Sequence, residues 1–191
     1  MEEVEHLSPE EKMVLLKIAR QSMEAAVRGE RLARLDLKSL TPLLQAPGAS
    51  FVTLTRQGEL RGCIGALEPY QPLAEDVREH AIAAAQQDYR FAPVSPPELA
   101  HIEIEISRLT LPMRLEYQGT ADLLRKLRPG VDGVLIRDGH QRATFLPQVW
   151  DKLPSAEDFL DHLCQKMGAP GNLWRRRDLQ VFTYQVEEFH E

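Results

Sequence analysis

The stretch from Phe51 to Leu67 constrains the fold more than any other part of the chain. Phe51 to Arg56 is β-branched and aromatic, Gln57-Gly58 is a two-residue turn signal, and Glu59 to Leu67 reads as the return strand. Strands joined by so short a turn must pair antiparallel, whereas a parallel pair needs a long crossover. The return strand carries Leu60-Arg61-Gly62-Cys63-Ile64-Gly65, with one of the two cysteines of the chain between two glycines. Strict alternation predicts Arg61 and Cys63 on one face and Leu60, Ile64 and Ala66 on the other. The apolar row is then core, and the Arg/Cys row is a candidate site.

On one face, Arg61 and Cys63 would stand roughly 6.5 Å apart, two strand rises. At an effective dielectric of about 20, that separation is worth about 2.5 kcal/mol in favour of the thiolate. Gly62 and Gly65 inside a strand predict a bulge, or a ligand or backbone close by, and this makes them candidate substrate-binding positions. The structural alternative is a buried Cys63 acting as a small hydrophobe, with Arg61 paired to a carboxylate.

The other elements follow from caps and periodicity. Ser8-Pro9-Glu10-Glu11 is a capping box that opens a helix running to about Arg28 and stopped by Gly29. Residues 30–50, with Pro42, Pro47 and Gly48, read as irregular linker with a short helix. Pro72 opens a helix through about Gln87, and its alanine face suits close packing on a sheet. Ser95-Pro96-Pro97-Glu98 caps a single turn. His101 to Ser107 then alternates cleanly, with isoleucines on one face and His101, Glu103, Glu105 and Ser107 on the other. A helix over Ala121 to Leu127 follows, then a second hairpin of Gly133 to Arg137 and Arg142 to Leu146 around Asp138-Gly139. Ser155 to Asp158 opens a helix that ends at Gly168, and Leu179 to Val186 reads as one last strand, with Phe189 packing down the C-terminus. Two hairpins, separate helices and no regular βαβ rhythm predict an α+β fold with a mostly antiparallel sheet flanked by helices.

Further candidate site residues come from this pass. Asp88 and Arg90 lie in the loop Asp88-Tyr89-Arg90-Phe91-Ala92-Pro93, and loops held by a rigid scaffold often carry function. Arg142 and Thr144 share one side of their strand. His101, Glu103 and Glu105 could hold a metal, yet no independent third ligand motif accompanies them. The alternative is a solvated face with cross-strand pairing, Glu103 or Glu105 to Arg61. Cys164 falls on the apolar stripe of its helix and reads as structural.

Composition narrows the function. A net charge of −6 with a single short basic run, Arg175-Arg176-Arg177, argues against a nucleic-acid binder. The acidic start MEEVEHLSPEE has no basic region followed by an apolar run, so no signal peptide is expected. No apolar stretch approaches the length of a membrane span, and a cytoplasmic location is the default expectation. No GxxxxGK[ST] loop or CxxxCxxC cluster motif occurs, so no cofactor is expected.

Leu60 to Gly65 as LRGCIG, preceded by FVTLT, resembles the AMMECR domain family, whose bacterial and archaeal members are called AmmeMemoRadiSam system protein A. DYRFAPV at Asp88 to Val94, ELAHIEIEIS at Glu98 to Ser107, ATFLPQVW at Ala143 to Trp150 and FLDHLC at Phe159 to Cys164 extend the resemblance over nearly the whole chain. It implies one AMMECR-type domain over residues 1–191, with a larger and a smaller lobe, a cleft between them, and the hexapeptide and LPQVW turn facing that cleft. It also implies association with radical-SAM and Memo-type proteins. Two expectations about function follow. Either Cys63 is the nucleophile of an enzyme, oriented by Arg61 and acting on a small or modified substrate, or the chain is a non-catalytic substrate-binding or adaptor module for those partners. The sequence does not set the oligomeric state.

Overall fold

A computed structural model describes residues 5–191; the acidic Met1 to Val4 lies outside the described residues. The chain forms two compact units: one runs up to Thr110 and regains Glu187–Glu191, and the other is Leu111–Val186. Helices and two antiparallel sheets make the fold α+β.

The first unit begins with α1 (Pro9–Val27), opened by a complete capping box: Ser8 Oγ accepts from the Glu11 N–H while the Glu11 carboxylate accepts from the Ser8 N–H. After a 3-10 turn at Leu37–Ser39 and the short α2 (Pro42–Gln45) come β1 (Pro47–Arg56), β2 (Glu59–Gly65), β3 (Gln71–Pro72) and α3 (Leu73–Gln86). A 3-10 turn over Pro96–His101 leads into β4 (Ile102–Leu109). The sheet order is β2-β1-β4-β9, with β3 paired to the start of β1 and β9 being Val186–His190. The core lies between one sheet face and helices α1 and α3. Val52, Leu54, Ile104 and Ile106 from the sheet meet Leu15, Met23, Val77, Ala81 and Ala84 from the helices.

The second unit contains β5 (Met113–Arg114), α4 (Gly119–Lys126), β6 (Gly133–Asp138), β7 (Gln141–Phe145), α5 (Ala156–Lys166), α6 (Leu173–Arg176) and β8 (Gln180–Tyr184). Its sheet order is β5-β8-β6-β7. The LPQVW segment forms a 3-10 turn, Pro147–Asp151, that buries Trp150. The indole stacks on Phe159 at 3.7 Å between ring centroids and donates its N–H to the Asp132 carbonyl, which satisfies its one polar atom.

Three expectations are corrected. The run from Leu179 onward is not one strand: β8 belongs to the second sheet and β9 to the first, because pairing partners change at Gln185. His101 ends the 3-10 turn and is not part of β4. The first strand begins at Pro47, four residues before Phe51, because Pro47 and Gly48 pair with Pro72 and Gln71. No helix among the described residues is long and apolar enough to cross a membrane.

Candidate functional site

The site is built on the β1–β2 hairpin. Gln57 and Gly58 both have positive φ, 54° and 80°, which suits the two-residue turns that match strand twist. The turn sets Arg56 opposite Glu59 and Thr55 opposite Leu60. Simple continuation would put Cys63 opposite Val52, facing the helices. Instead the register slips by one residue: Leu54 pairs with Gly62, Thr53 with Cys63 and Phe51 with Gly65. Arg61 is the extra residue of a bulge. This overturns the expected sharing of a face. Leu60, opposite Thr55, lies on the same face as Cys63, opposite Thr53, while Gly62 faces the helices.

Arg61 does not turn its guanidinium to the thiol. Its Nε and Nη2 donate to the two oxygens of Glu98 at 2.9 and 3.2 Å, and Arg56 donates to the same carboxylate at 3.1 Å. The expected pairing with Glu103 or Glu105 is therefore replaced by Glu98. Glu98 also accepts from the Ser95 N–H and hydroxyl, and these bonds, led by Arg61, bring its pKa down to about 2. Arg61 thus pins the bulge to the turn before β4.

The cation that does lie beside Cys63 is Arg90. β2 is an edge strand, and the outward N–H and C=O of Cys63 have no strand to bind. Asp88 accepts the Cys63 N–H at 2.9 Å, and Arg90 Nη2 donates to the Cys63 carbonyl at 3.3 Å. Arg90 also grips both oxygens of Asp88, at 2.9 and 2.6 Å. The Asp88 side chain is only 2% exposed. Its carboxyl is held far below the usual carboxylate range, first by the Arg90 hydrogen bonds and further by the Cys63 and Arg90 backbone N–H groups, against the opposing effect of burial. Side chains here stand in for the next strand and fix the backbone from which the thiol projects.

The face that Cys63 shares also carries Phe51, Thr53, Thr55, Glu103, Glu105 and Ser107, in rows set by the pairing of β1 with β4: Thr53 opposite Glu105, Thr55 opposite Glu103, Phe51 opposite Ser107. Cys63 is half-buried, and the Thr53 hydroxyl donates to its Sγ at 3.4 Å. The two glycines are packing positions. A Cβ on Gly62 would collide with the carbonyl of Ala84 in α3, and one on Gly65 with the Phe51 ring and the Ser50 carbonyl. The close backbone anticipated at Gly62 is that of a helix.

Arg142 and Thr144 stand on β7 in the second unit. Arg142 faces Arg137 across the strands. The Thr144 hydroxyl lies 3.0 Å from the Val134 carbonyl and 2.9 Å from the Tyr184 hydroxyl, whose pKa burial pushes up. Cys164 is fully buried, and burial raises its thiol pKa as well. Both cysteines are free. No group of three His, Cys, Asp or Glu side chains among the described residues is arranged to hold a metal. His80 lies against Asp76 at 3.2 Å, buried in the helix layer away from the thiol's face.

Sequence reasoning missed Thr53 as the partner of the sulfur. Counting from the turn pairs it with Gly62; only the bulge brings Cys63 opposite it.

Fold and site together define an α+β protein that presents a thiol on a sheet face beside an arginine-clamped edge. The AMMECR1 family model matches residues 16–189, and the chain belongs to that family. It is 41% identical to a protein of Methanothermobacter thermautotrophicus over 97% of this chain and 96% of the relative. It is 34% identical to one of Methanocaldococcus jannaschii, over 97% and 92%. Its fold is also that of an uncharacterized protein from Pyrococcus horikoshii seen in a crystal structure, with TM-score 0.70, 33% identity, and 93% of this chain and 89% of that one covered.

Proposed function

We propose that the chain is a thiol-dependent enzyme in which the Cys63 sulfur attacks an electrophilic centre of a small or modified substrate. The observation that carries the reading is the hydroxyl of Thr53 donating to Sγ at 3.4 Å on a half-buried face, with the Cys63 backbone held at both its N–H and its C=O. A thiolate is the reactive form, and a hydroxyl donor stabilises it. Arg61 acts as a positioning residue through Glu98. The proton leaves to solvent, since no histidine among the described residues bonds to the sulfur.

Iodoacetamide labelling at pH 7.5, located by peptide mapping, tests this. Cys63 should react at least about a hundredfold faster than buried Cys164, and Thr53→Val should slow it severalfold. Cys63→Ser should shift stability by less than about 1 kcal/mol, as expected for a half-buried side chain. A Cys63 labelled only on unfolding would sink the proposal.

Tyr89, 95% exposed between Asp88 and Arg90, supports a second reading. An aromatic so placed suits contact with a macromolecule. In that reading the chain is an adaptor or substrate-presenting module for the radical-SAM and Memo-type proteins that the family resemblance implies. Cys63→Ser would then leave function intact, and Tyr89→Ala would abolish it.

A further inference from the structure

We infer that the groove between α1 and residues 31–36 binds an extended, acidic peptide segment of a partner protein, whose backbone pairs with that stretch. The groove has a volume of about 520 Å³, within the roughly 300–1,000 Å³ typical of ligand sites. After α1 the chain must return along the helix, because the Thr41 hydroxyl donates to Glu11 in its first turn. From Arg28 back to Glu11 is about 25 Å of helix, so residues 31–36 run open, in neither helix nor strand, antiparallel to α1. Leu32 and Leu35 are half-buried, while Arg31, Ala33, Arg34 and Asp36 are exposed. From Arg31 to Leu35 no backbone N–H or carbonyl has a hydrogen-bond partner among the described residues. Backbone groups are strong donors and acceptors, and a row of them left to solvent is a template for an added strand.

Length and charge select the occupant. The α1 residues lining the groove run from Val14 to Ala25, about 16 Å of helix, and about five residues of extended chain span the same distance. Val14, Ile18, Leu32 and Leu35 offer an apolar floor to alternate side chains of such a peptide. Lys17, Arg31 and Arg34 stand at the rim, exposed and without an ion pair among the described residues, and Asp36 is the one carboxylate lining the groove. The chain as a whole carries a net charge of −6, so the groove has the opposite sign to the molecule around it. A peptide alternating apolar residues with Asp or Glu satisfies floor, rim and backbone together. A basic peptide is repelled at the rim, and a small anion leaves the floor and the backbone groups unused. The groove lies on the helix side of the sheet, so this inference stands apart from the thiol reading.

The test is selection of a phage-displayed library of random heptapeptides on the intact protein, followed by titration of the synthesised winners. The selected sequences should be net acidic with alternating apolar residues. Their affinity should fall at least about tenfold in Lys17→Glu/Arg34→Glu, which alters only exposed side chains and should keep the melting temperature within about 2 °C of the parent. It should also fall at least about tenfold when alternate peptide nitrogens are methylated, which removes main-chain donors and leaves the charge unchanged. Amide NMR shifts on binding should centre on residues 31–35. Recovery of no binder, of binders without acidic bias, or of acidic binders that tolerate either the double variant or the methylation would overturn the proposal.

Discussion

Gly62→Ala is expected to destabilise the protein by about 3 kcal/mol, the upper end for overpacking, and to lower its melting temperature by about 10 °C for a chain of this length. The added methyl would run into the carbonyl of Ala84, which belongs to helix backbone and cannot swing aside as a side chain can. The sign is diagnostic. In a strand without that contact, replacing glycine by alanine stabilises by roughly 0.5–1 kcal/mol, because alanine loses less backbone freedom. Urea unfolding of the parent, of Gly62→Ala and of Thr55→Ala on the opposite face separates the effects. The Thr55 variant should stay within about 1 kcal/mol of the parent. A Gly62→Ala protein as stable as the parent would mean that α3 does not press on the hairpin.

The same glycine explains what the sequence revealed and what it hid. The hairpin, the capping boxes at Ser8 and Ser95 and the N-cap at Ser155 were legible because turn and cap chemistry act within four residues. The bulge at Arg61 was anticipated only as a consequence of the glycines, and its register was not. One inserted residue reverses the facing of everything after it. Without it, Cys63 would point at the helices beside Val52; with it, the thiol emerges on the opposite face and Gly62, the one residue small enough, slides beneath Ala84. Alternation alone had assigned Arg61 to the thiol and Leu60 to the core, and both assignments fail for this one reason.

Other parts were hidden because they depend on tertiary neighbours. The loop Asp88-Tyr89-Arg90 stood out by its residue types, yet its task of capping an edge strand requires knowing that β2 is an edge. The division of the C-terminal run between two sheets leaves no mark on its residue types: β8 buries Val181 and Tyr184, β9 buries Phe189, and the joint at Gln185 carries no glycine or proline. Cys164 was legible as core because helical periodicity alone places it among Phe159, Leu160 and Leu163.

Asp88 is where stability and reactivity should separate. Removing one partner of a buried ion pair costs several kcal/mol, and because Arg90 remains 44% exposed and can rehydrate, Asp88→Ala should cost about 2–3 kcal/mol at pH 7. Asp88→Asn keeps an acceptor for the Cys63 N–H and should cost about half as much. The folded pKa of Asp88 lies below its unfolded value near 3.9, so its stabilisation is complete above about pH 4 and is lost as pH falls through the depressed folded pKa. The stability gap between parent and Asp88→Asn should therefore be constant from pH 7 to about 5 and shrink steadily below about 4. The difference is the observable, because Glu98 and Glu11, also lowered, make the parent acid-labile by themselves. Thiol reactivity should move the other way: with its counter-charge gone, Arg90 leaves a net positive charge beside the sulfur, and Cys63 in Asp88→Asn should alkylate severalfold faster at pH 7. A variant that is less stable and also less reactive would mean that Asp88 serves the thiol by holding its backbone and not by balancing Arg90.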